Sequence, residues 1–166
     1  IGKEVEDMSF DNSQSDNSGQ QEEVQFSEAE RDKILSLIKA LSSEVREEFD
    51  AKYKAWTGTW DDPMISIYSD PRKYAESRQY EEFLDYCKTL GRTIWPLLFY
   101  QLEQGGILVI NPLEDLTISD YGYLMDEVRE ESKQDTYTVE GVYQAPSLRS
   151  YAMKYAKKLL ALLELK

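Results

Sequence analysis

The sequence contains no histidine and only one cysteine among its 166 residues. The absence of histidine excludes Ser-His-Asp and Cys-His nucleophilic systems, together with histidine-ligated zinc or haem. One cysteine allows no internal disulfide, and the place of Cys87 on an apolar helix face indicates a small buried side chain. Phosphate-binding, dinucleotide-binding, nucleophile-elbow and C-x-x-C motifs are also absent. We therefore predict no catalytic residue, no cofactor and no metal ligand.

Basic residues are scarce, with 19 lysines and arginines against 32 acidic residues and a formal net charge of −13. Nucleic-acid binding needs a basic face that displaces counterions from phosphates, so no nucleic-acid partner is expected. No apolar run approaches the roughly 18 residues of a membrane-spanning helix, and no signal-peptide core is present. A chain of this length is expected to form one domain with a terminal extension.

Residues 1–26 differ in composition from the rest of the chain, with seven acidic residues against Lys3 alone. Such a segment buries too little apolar surface to fold, so we expect a disordered acidic leader. It is either an ordinary terminus or the polar tether that follows a removed signal or a lipidated cysteine. The first residue, Ile1, and the composition favour the tether and an exported, periplasmic or cell-surface location. If the leader contacts the body, Val24 and Phe26 are the expected anchors.

A helical domain is predicted from residue 27 to residue 166. Ser27 and Glu30 have the spacing of a capping box, in which each side chain satisfies a backbone N–H of the other. The apolar residues that follow keep helical spacing, so we predict one helix from Ser27 to about Ala55, ended by Gly58. These apolar residues are Ile34, Leu37, Ile38, Leu41, Val45 and Phe49.

The most apolar stretch runs from Tyr80 to Gly105 and predicts two helices joined by a short turn. Gly91 suits that turn because glycine adopts positive φ at little cost, and Pro96 suits the first turn of the second helix. The second helix, from Trp95 to about Gln104, is apolar almost all round, which is typical of a buried helix. The first helix carries its apolar face on Tyr80, Phe83, Cys87 and Leu90.

With these anchors, the turn glycine and the proline, residues 80–105 resemble one unit of a HEAT-type helical repeat. The resemblance implies an α-hairpin at the centre of the domain. No second copy follows at a fixed period, so no solenoid is predicted.

The connections on either side of this hairpin carry weaker signals. Met64–Tyr68 has the composition of a short strand or an extended segment. Asp70 followed by Pro71 predicts a helix start, with a short helix to about Glu76. Ile107–Ile110 fits either a buried strand or packed helix, and we favour an extended or mixed conformation.

The segment after the hairpin predicts two separate helices and a loop. Asn111 and Glu114 have capping-box spacing, which predicts a single-turn helix through Leu116. A second helix is expected from Ser119 to about Lys133, and residues 134–145 are expected to form a long polar and aromatic loop.

The last helix is predicted to open at Pro146-Ser147. Its apolar stripe lies within about 120° on a helical wheel, with three lysines outside the stripe. The helix is therefore either a core helix with a basic face or a basic amphipathic helix that meets a membrane or an acidic partner. The stripe consists of Leu148, Tyr151, Ala152, Tyr155, Leu159, Leu162 and Leu163, and the lysines are Lys154, Lys157 and Lys158.

Two groups of residues are candidates for contact with a ligand or partner. Aromatic rings beside carboxylates suit sugars, and two carboxylates across a cleft can perform acid–base chemistry on a glycosidic bond. Tyrosines in loops and on helix edges suit protein recognition because they bring large contact area at low entropic cost. The first group is Trp56, Trp60, Asp61 and Asp62, and the second is Tyr121 and Tyr123, with Tyr137 and Tyr143 as further members.

We predict an all-α domain, a compact bundle of five or six helices around the HEAT-like hairpin, with short extended segments. The expected function is non-enzymatic binding or scaffolding, with an unidentified protein or glycan partner and peripheral tethering through the leader. The alternative is a carbohydrate-processing enzyme that works through carboxylates, which requires Asp61 or Asp62 to face a second carboxylate.

Overall fold

The computed structural model describes residues 24–66, 70–134, 137–139, 142–144 and 147–164. Within these ranges, six helices of nine or more residues pack into one bundle, which confirms the predicted all-α fold. In chain order the helices are α1 Glu28–Lys39, α2 Ser43–Gly58, α3 Arg78–Leu90, α4 Trp95–Glu103, α5 Ile110–Gln134 and α6 Leu148–Leu160. None of these helices combines the length and the apolar character that crossing a bilayer requires.

Shorter elements connect the six helices. A four-residue α-helix, Pro63–Ser66, follows α2, and antiparallel strands β1 (Tyr137–Val139) and β2 (Val142–Gln144) pair between α5 and α6. The prediction of a loop over residues 134–145 was therefore wrong at this hairpin. The 3₁₀ helices are Thr59–Asp61, Pro71–Ala75, Gly91–Ile94 and Ile107–Val109.

Two predicted extended segments are helical. Met64–Ser66 lies in a helical turn because the backbone N–H groups of Ile65 and Ser66 both donate to the Asp62 carbonyl at 2.8 Å. Ile67 and Tyr68, the rest of that predicted strand, lie outside the described residues. Ile107–Val109 forms a 3₁₀ turn that leads directly into α5, so the extended interpretation was wrong there as well.

The single helix predicted from Ser27 to Ala55 is two helices, α1 and α2. The capping box at Ser27 and Glu30 is present, with Ser27 N donating to Glu30 Oε1 at 2.7 Å and Glu30 N to Ser27 Oγ at 3.1 Å. A second cap was missed, because Ser42 Oγ accepts from Val45 N at 3.2 Å and starts α2. Leu41 and Val45 fit an unbroken apolar stripe equally well, so spacing alone does not show the break.

The two helices predicted over residues 111–133 are one helix, α5, with a kink at Tyr121 (φ −126°, ψ 20°). Asn111 does not act as the predicted cap. It is buried, its Nδ2 donates to the Pro71 carbonyl at 2.9 Å, and its Oδ1 accepts from Arg72 at 3.0 Å. Hydrogen bonds to the distant residues Pro71 and Arg72 therefore take the place of a local cap at Asn111.

The predicted helices α3 and α4 are both present, but each packs mainly against other helices of the bundle rather than against the other as in an α-hairpin. The α3 helix packs against α2 and α5, whereas α4 packs against α1, α5 and α6. The turn between them has Gly91 at φ +59°, a conformation that side chains with a Cβ rarely adopt. Trp95, Leu98 and Leu102 of α4 are at most 3 % exposed, so α4 is the buried helix that its composition predicts.

The last helix is part of the core. Ser147 Oγ accepts from Ser150 N at 3.1 Å and caps α6 as predicted, and Tyr155 and Leu159 are fully buried. Leu148 is 37 % exposed, so its predicted place on the buried stripe was wrong. The buried side also includes residues that the stripe missed, namely Met153, Ala156 and Leu160.

The basic face of α6 contacts other helices of the bundle. Lys157 Nζ lies 2.9 Å from Glu30 Oε1, and Lys158 Nζ lies 3.3 and 2.8 Å from carboxylates of Glu127 and Glu131 on α5. Burial raises the pKa of Glu30, but the Ser27 N–H bond and Lys157 outweigh it and hold the pKa below its usual range. These contacts support the interpretation of α6 as a core helix.

The end of the leader packs on the body. Phe26 is 2 % exposed, with its ring centroid 6.2 Å from that of Phe99 on α4, and Val24 is half-buried against the core. These are the two anchors that the sequence indicated. Residues 1–23 lie outside the described part of the chain.

Cys87 is fully buried in α3, and burial raises the pKa of its thiol to about 12. In the unfolded chain the thiol ionises above about pH 8.5. Between these values the unfolded state binds fewer protons than the folded state, so stability falls as pH rises. We expect Cys87 to contribute a loss of up to about 1.4 kcal/mol per pH unit between pH 9 and 10.5. Urea denaturation at several pH values measures this slope.

The matched control for this prediction is Cys87→Ala. The variant should be less stable at pH 7 because it leaves a small cavity, yet its stability should fall less steeply above pH 9. Other ionisations act equally in both proteins and cancel in the comparison. Equal slopes in the two proteins would contradict the assignment of the alkaline loss to Cys87.

Candidate functional site

The first predicted contact group is divided between core and surface. Trp56 is fully buried, and its Nε1 donates to the Tyr74 carbonyl at 2.7 Å. Its ring centroid lies 4.9 Å from that of Tyr80 and 5.6 Å from that of Phe83, with the Phe83 ring nearly parallel. Trp56 therefore has no surface to offer a ligand and anchors the contact between α2 and α3.

Trp60 is partly buried and packs edge-on against Trp56, with ring centroids 5.0 Å apart. Asp61 and Asp62 are exposed. Asp62 Oδ1 accepts from Met64 N at 2.9 Å, so this carboxylate caps the short helix Pro63–Ser66. The aromatic pair and the carboxylates are adjacent in the chain, but the rings pack against each other whereas the Asp62 carboxylate caps a short helix.

The two carboxylates of this corner lie outside the grooves found among the described residues. Three surface grooves of about 230–330 Å³ have been identified, and neither Asp61 nor Asp62 lines any of the three. Within the described ranges, no group of three or more Asp, Glu or Cys side chains converges as a metal site would require.

A denser polar cluster joins Pro71–Ala75 to α3 and α5. Asp115 Oδ2 accepts from Tyr80 Oη at 2.5 Å and from Arg72 Nη2 at 3.2 Å. Arg72 also donates to Asn111. Burial, followed by the hydrogen bond to Asp115, raises the pKa of Tyr80. Because these groups satisfy one another, the cluster is best explained as a tie between three segments.

Tyr121 and Tyr123, the second predicted contact group, lie at the kink of α5. Tyr123 is 55 % exposed, and its ring centroid lies 6.5 Å from that of Tyr121. Tyr121 packs edge-on against Trp95, with ring centroids 5.6 Å apart. The Arg92 guanidinium lies 5.3 Å from the Trp95 ring centroid and 5.4 Å from that of Tyr121. Two aromatic faces thus hold an exposed arginine in a defined position.

Arg92 also lines a surface groove of about 330 Å³ between the end of α1 and the start of α4. We call it the Arg92 groove. Its lining is mainly apolar and includes one cation and one carboxylate. It is lined by Ser36, Leu37, Ala40, Leu41, Arg92, Thr93, Pro96, Leu163 and Glu164.

The cation that lines the groove, Arg92, forms no ion pair within the described residues. Among the described lysines and arginines, Lys39, Lys88 and Arg92 form neither a salt bridge nor a hydrogen bond from their side chains. Lys39 precedes the groove residue Ala40 in the chain, and Lys88 lies four residues before Arg92, across the non-helical turn at Gly91. The groove lining itself holds one cation, Arg92, and one carboxylate, Glu164, in a chain with net charge −13.

Sequence reasoning found the two tyrosines of this surface but missed Arg92 and the groove. The sequence does indicate the contact between Arg92 and Trp95. The two residues are three apart, a spacing that brings side chains together on a helical turn. The groove has no local signal because it is assembled from α1, the α3–α4 turn and the end of α6. Comparisons with protein-family models, curated proteins and solved structures found no match.

Proposed function

We propose that this domain is a non-enzymatic binding protein that holds an acidic protein segment with an apolar anchor in the Arg92 groove. The observation that supports it is Arg92 itself, an exposed guanidinium that lies over two contacting rings and forms no ion pair among the described residues. A guanidinium in a fixed position binds carboxylates with defined geometry. The leucines of the groove then provide the apolar contact.

The surface beside the groove adds to the expected interface. Tyr123 is more than half exposed, and tyrosine is enriched in the centres of protein interfaces. Because Arg92 contacts Tyr121 and Tyr121 contacts Tyr123, the tyrosines extend the groove's rim along α5. Anchors of this kind carry most of the binding energy in protein complexes.

The negative charge of the whole protein does not oppose an acidic partner at this site. Exposed charges farther apart than the Debye length, about 8 Å at physiological ionic strength, are largely screened. Of the residues that line the groove, Arg92 is the cation and Glu164 the carboxylate, and Lys39 and Lys88 lie close to groove residues in the chain. Export and attachment through the leader stay predictions from the sequence.

A random peptide library displayed on phage tests the proposal without a known partner. Selection on the full chain, with counter-selection on Arg92→Gln, should enrich peptides that combine Asp or Glu with Leu, Met or Phe. A synthetic enriched peptide should bind at least tenfold more weakly to Arg92→Gln and more weakly to Tyr123→Ala, as fluorescence anisotropy measures. Arg78→Gln, an exposed arginine at the other end of α3, is the matched control and should leave binding unchanged.

Two results would count against this function. One is the absence of any acidic, apolar consensus after selection. The other is an enriched peptide whose affinity responds equally to Arg92→Gln and Arg78→Gln, since binding would then lie outside the groove.

A further inference from the structure

The chain itself contains a segment with the chemistry that the Arg92 groove fits. Residues 4–11 read Glu-Val-Glu-Asp-Met-Ser-Phe-Asp, four carboxylates interleaved with three apolar side chains. These apolar side chains, Val5, Met8 and Phe10, stand apart from the polar stretch that follows. We infer that residues 4–11 occupy the Arg92 groove of the same molecule, an inference that rests on the proposed function of that groove.

Charge complementarity supports this occupant. The segment brings four negative charges to the region where Lys39, Lys88 and Arg92 lack ion pairs among the described residues. Its apolar side chains match the leucines and the proline that line the groove. The groove thus combines an apolar lining with the Arg92 guanidinium and one carboxylate, Glu164, and the segment combines apolar anchors with acidic neighbours.

The length of chain between the segment and the body fits the distance. Phe26 is anchored on Phe99 of α4, and Pro96, one turn earlier in the same helix, lines the groove. From Glu28 to Leu37 along α1 the rise is about 14 Å. Twelve residues separate Asp11 from Val24, and a flexible chain of that length has a root-mean-square span of about 19 Å.

A tether matched to its span gives an effective concentration on the order of millimolar. Intramolecular binding then needs only a weak intrinsic affinity. A competing peptide can bind only those molecules whose groove is open, so its apparent affinity is its intrinsic affinity multiplied by that open fraction. With an intrinsic Kd of about 100 µM, a partner peptide would bind about tenfold more weakly to the full chain. The leader therefore acts as a built-in competitor for the groove.

A spin label placed in the segment tests its position directly in the full chain. Ser9→Cys supplies the attachment point, and the native thiol is buried and should not react. A nitroxide at this position should broaden the methyl signals of Leu37, Leu41 and Leu163 in NMR spectra. The same label in a chain with Val5→Ser, Met8→Ser and Phe10→Ser should not, and this loss is the control for specific docking.

The competition is tested with the enriched peptide and two full-length variants. The triple variant Val5→Ser, Met8→Ser and Phe10→Ser should bind the peptide about tenfold more tightly. A matched triple variant in the polar stretch, Asn12→Ser, Gln14→Ser and Asn17→Ser, should bind as the unmodified chain does.

The outcomes separate this inference from the proposed function. Peptide binding that depends on Arg92, with no methyl broadening and no tightening in the apolar triple variant, overturns the inference and leaves the proposed function standing. Broadening without any peptide binding supports the leader contact and rejects the function. Broadening that appears only between differently labelled molecules would overturn docking within one molecule and indicate exchange between copies.

Discussion

Replacing Trp56 with alanine should lower the free energy of unfolding by about 3–5 kcal/mol, the range for a buried aromatic side chain reduced to a methyl group. The side chain is fully buried among Tyr80, Phe83 and Trp60, so its removal leaves a cavity at the α2–α3 contact. The Tyr74 carbonyl also loses the hydrogen bond that it accepts from the Trp56 indole N–H at 2.7 Å. Domains of this size have a stability of about 5–15 kcal/mol, so the variant should lose between about a fifth and all of it.

Two tryptophan-to-phenylalanine variants separate the hydrogen bond from the packing. Trp56→Phe loses the bond to Tyr74, for an expected cost of about 1–3 kcal/mol. Trp60→Phe removes an indole N–H that is buried without a hydrogen-bond partner among the described residues, so its cost should stay below about 1 kcal/mol. Urea denaturation followed by circular dichroism measures both. Equal costs, or a folded Trp56→Ala protein of unchanged stability, would show that Trp56 is not the core anchor described above.

Local patterns predicted the helix starts well where the cap residues act on their own helix. Ser27, Asp70 and Ser147 each accept a backbone N–H from the first turn that follows, as their positions in the sequence indicate. Such bonds span two or three residues, so the sequence alone contains the information. The same reasoning failed at Asn111, whose amide bonds Pro71 and Arg72 on a distant segment.

The candidate site also contains some residues that local sequence could indicate and others that depend on distant segments. Tyr123 could be selected from the sequence because an aromatic residue beside a charged helix face has a fair chance of exposure. Trp56 was selected with Trp60 although its neighbours Tyr80 and Phe83 come from another helix and bury it completely. The contact of Arg92 with Tyr121 and the groove both depend on separated segments, so local spacing could indicate only the contact between Arg92 and Trp95.

Removing one member of the buried ion pair between α1 and α4 should have an effect as large as the loss of Trp56. Arg31 Nη2 lies 3.0 Å from Glu103 Oε1, and the two side chains are only 11 % and 6 % exposed. The same Arg31 nitrogen donates to Gln25 Oε1 at 3.2 Å, so the pair also holds the chain just before α1. Glu103→Ala removes the buried carboxylate that faces the Arg31 guanidinium in a nearly dry site, at an expected cost of about 3–5 kcal/mol.

An exposed pair of the same chemistry provides the control. Arg78 Nε lies 3.0 Å from Glu82 Oε1 on α3, with side chains 84 % and 52 % exposed. Solvent screens this pair, so Glu82→Ala should cost less than about 0.5 kcal/mol. The two alanine variants differ mainly in burial, and urea denaturation at one pH compares them. Similar costs for both would contradict the expected role of burial.

The double variant Arg31→Met with Glu103→Leu tests whether the pair contributes net stability. Glu103 Oε2 is buried with no hydrogen-bond partner among the described residues, so the carboxylate is incompletely compensated for the loss of water. Two apolar side chains of similar length avoid that cost and retain the packing, and the double variant should therefore recover most of the stability lost in Glu103→Ala. A double variant as unstable as the single one would instead indicate that the ion pair, through Gln25, determines how the start of α1 is held.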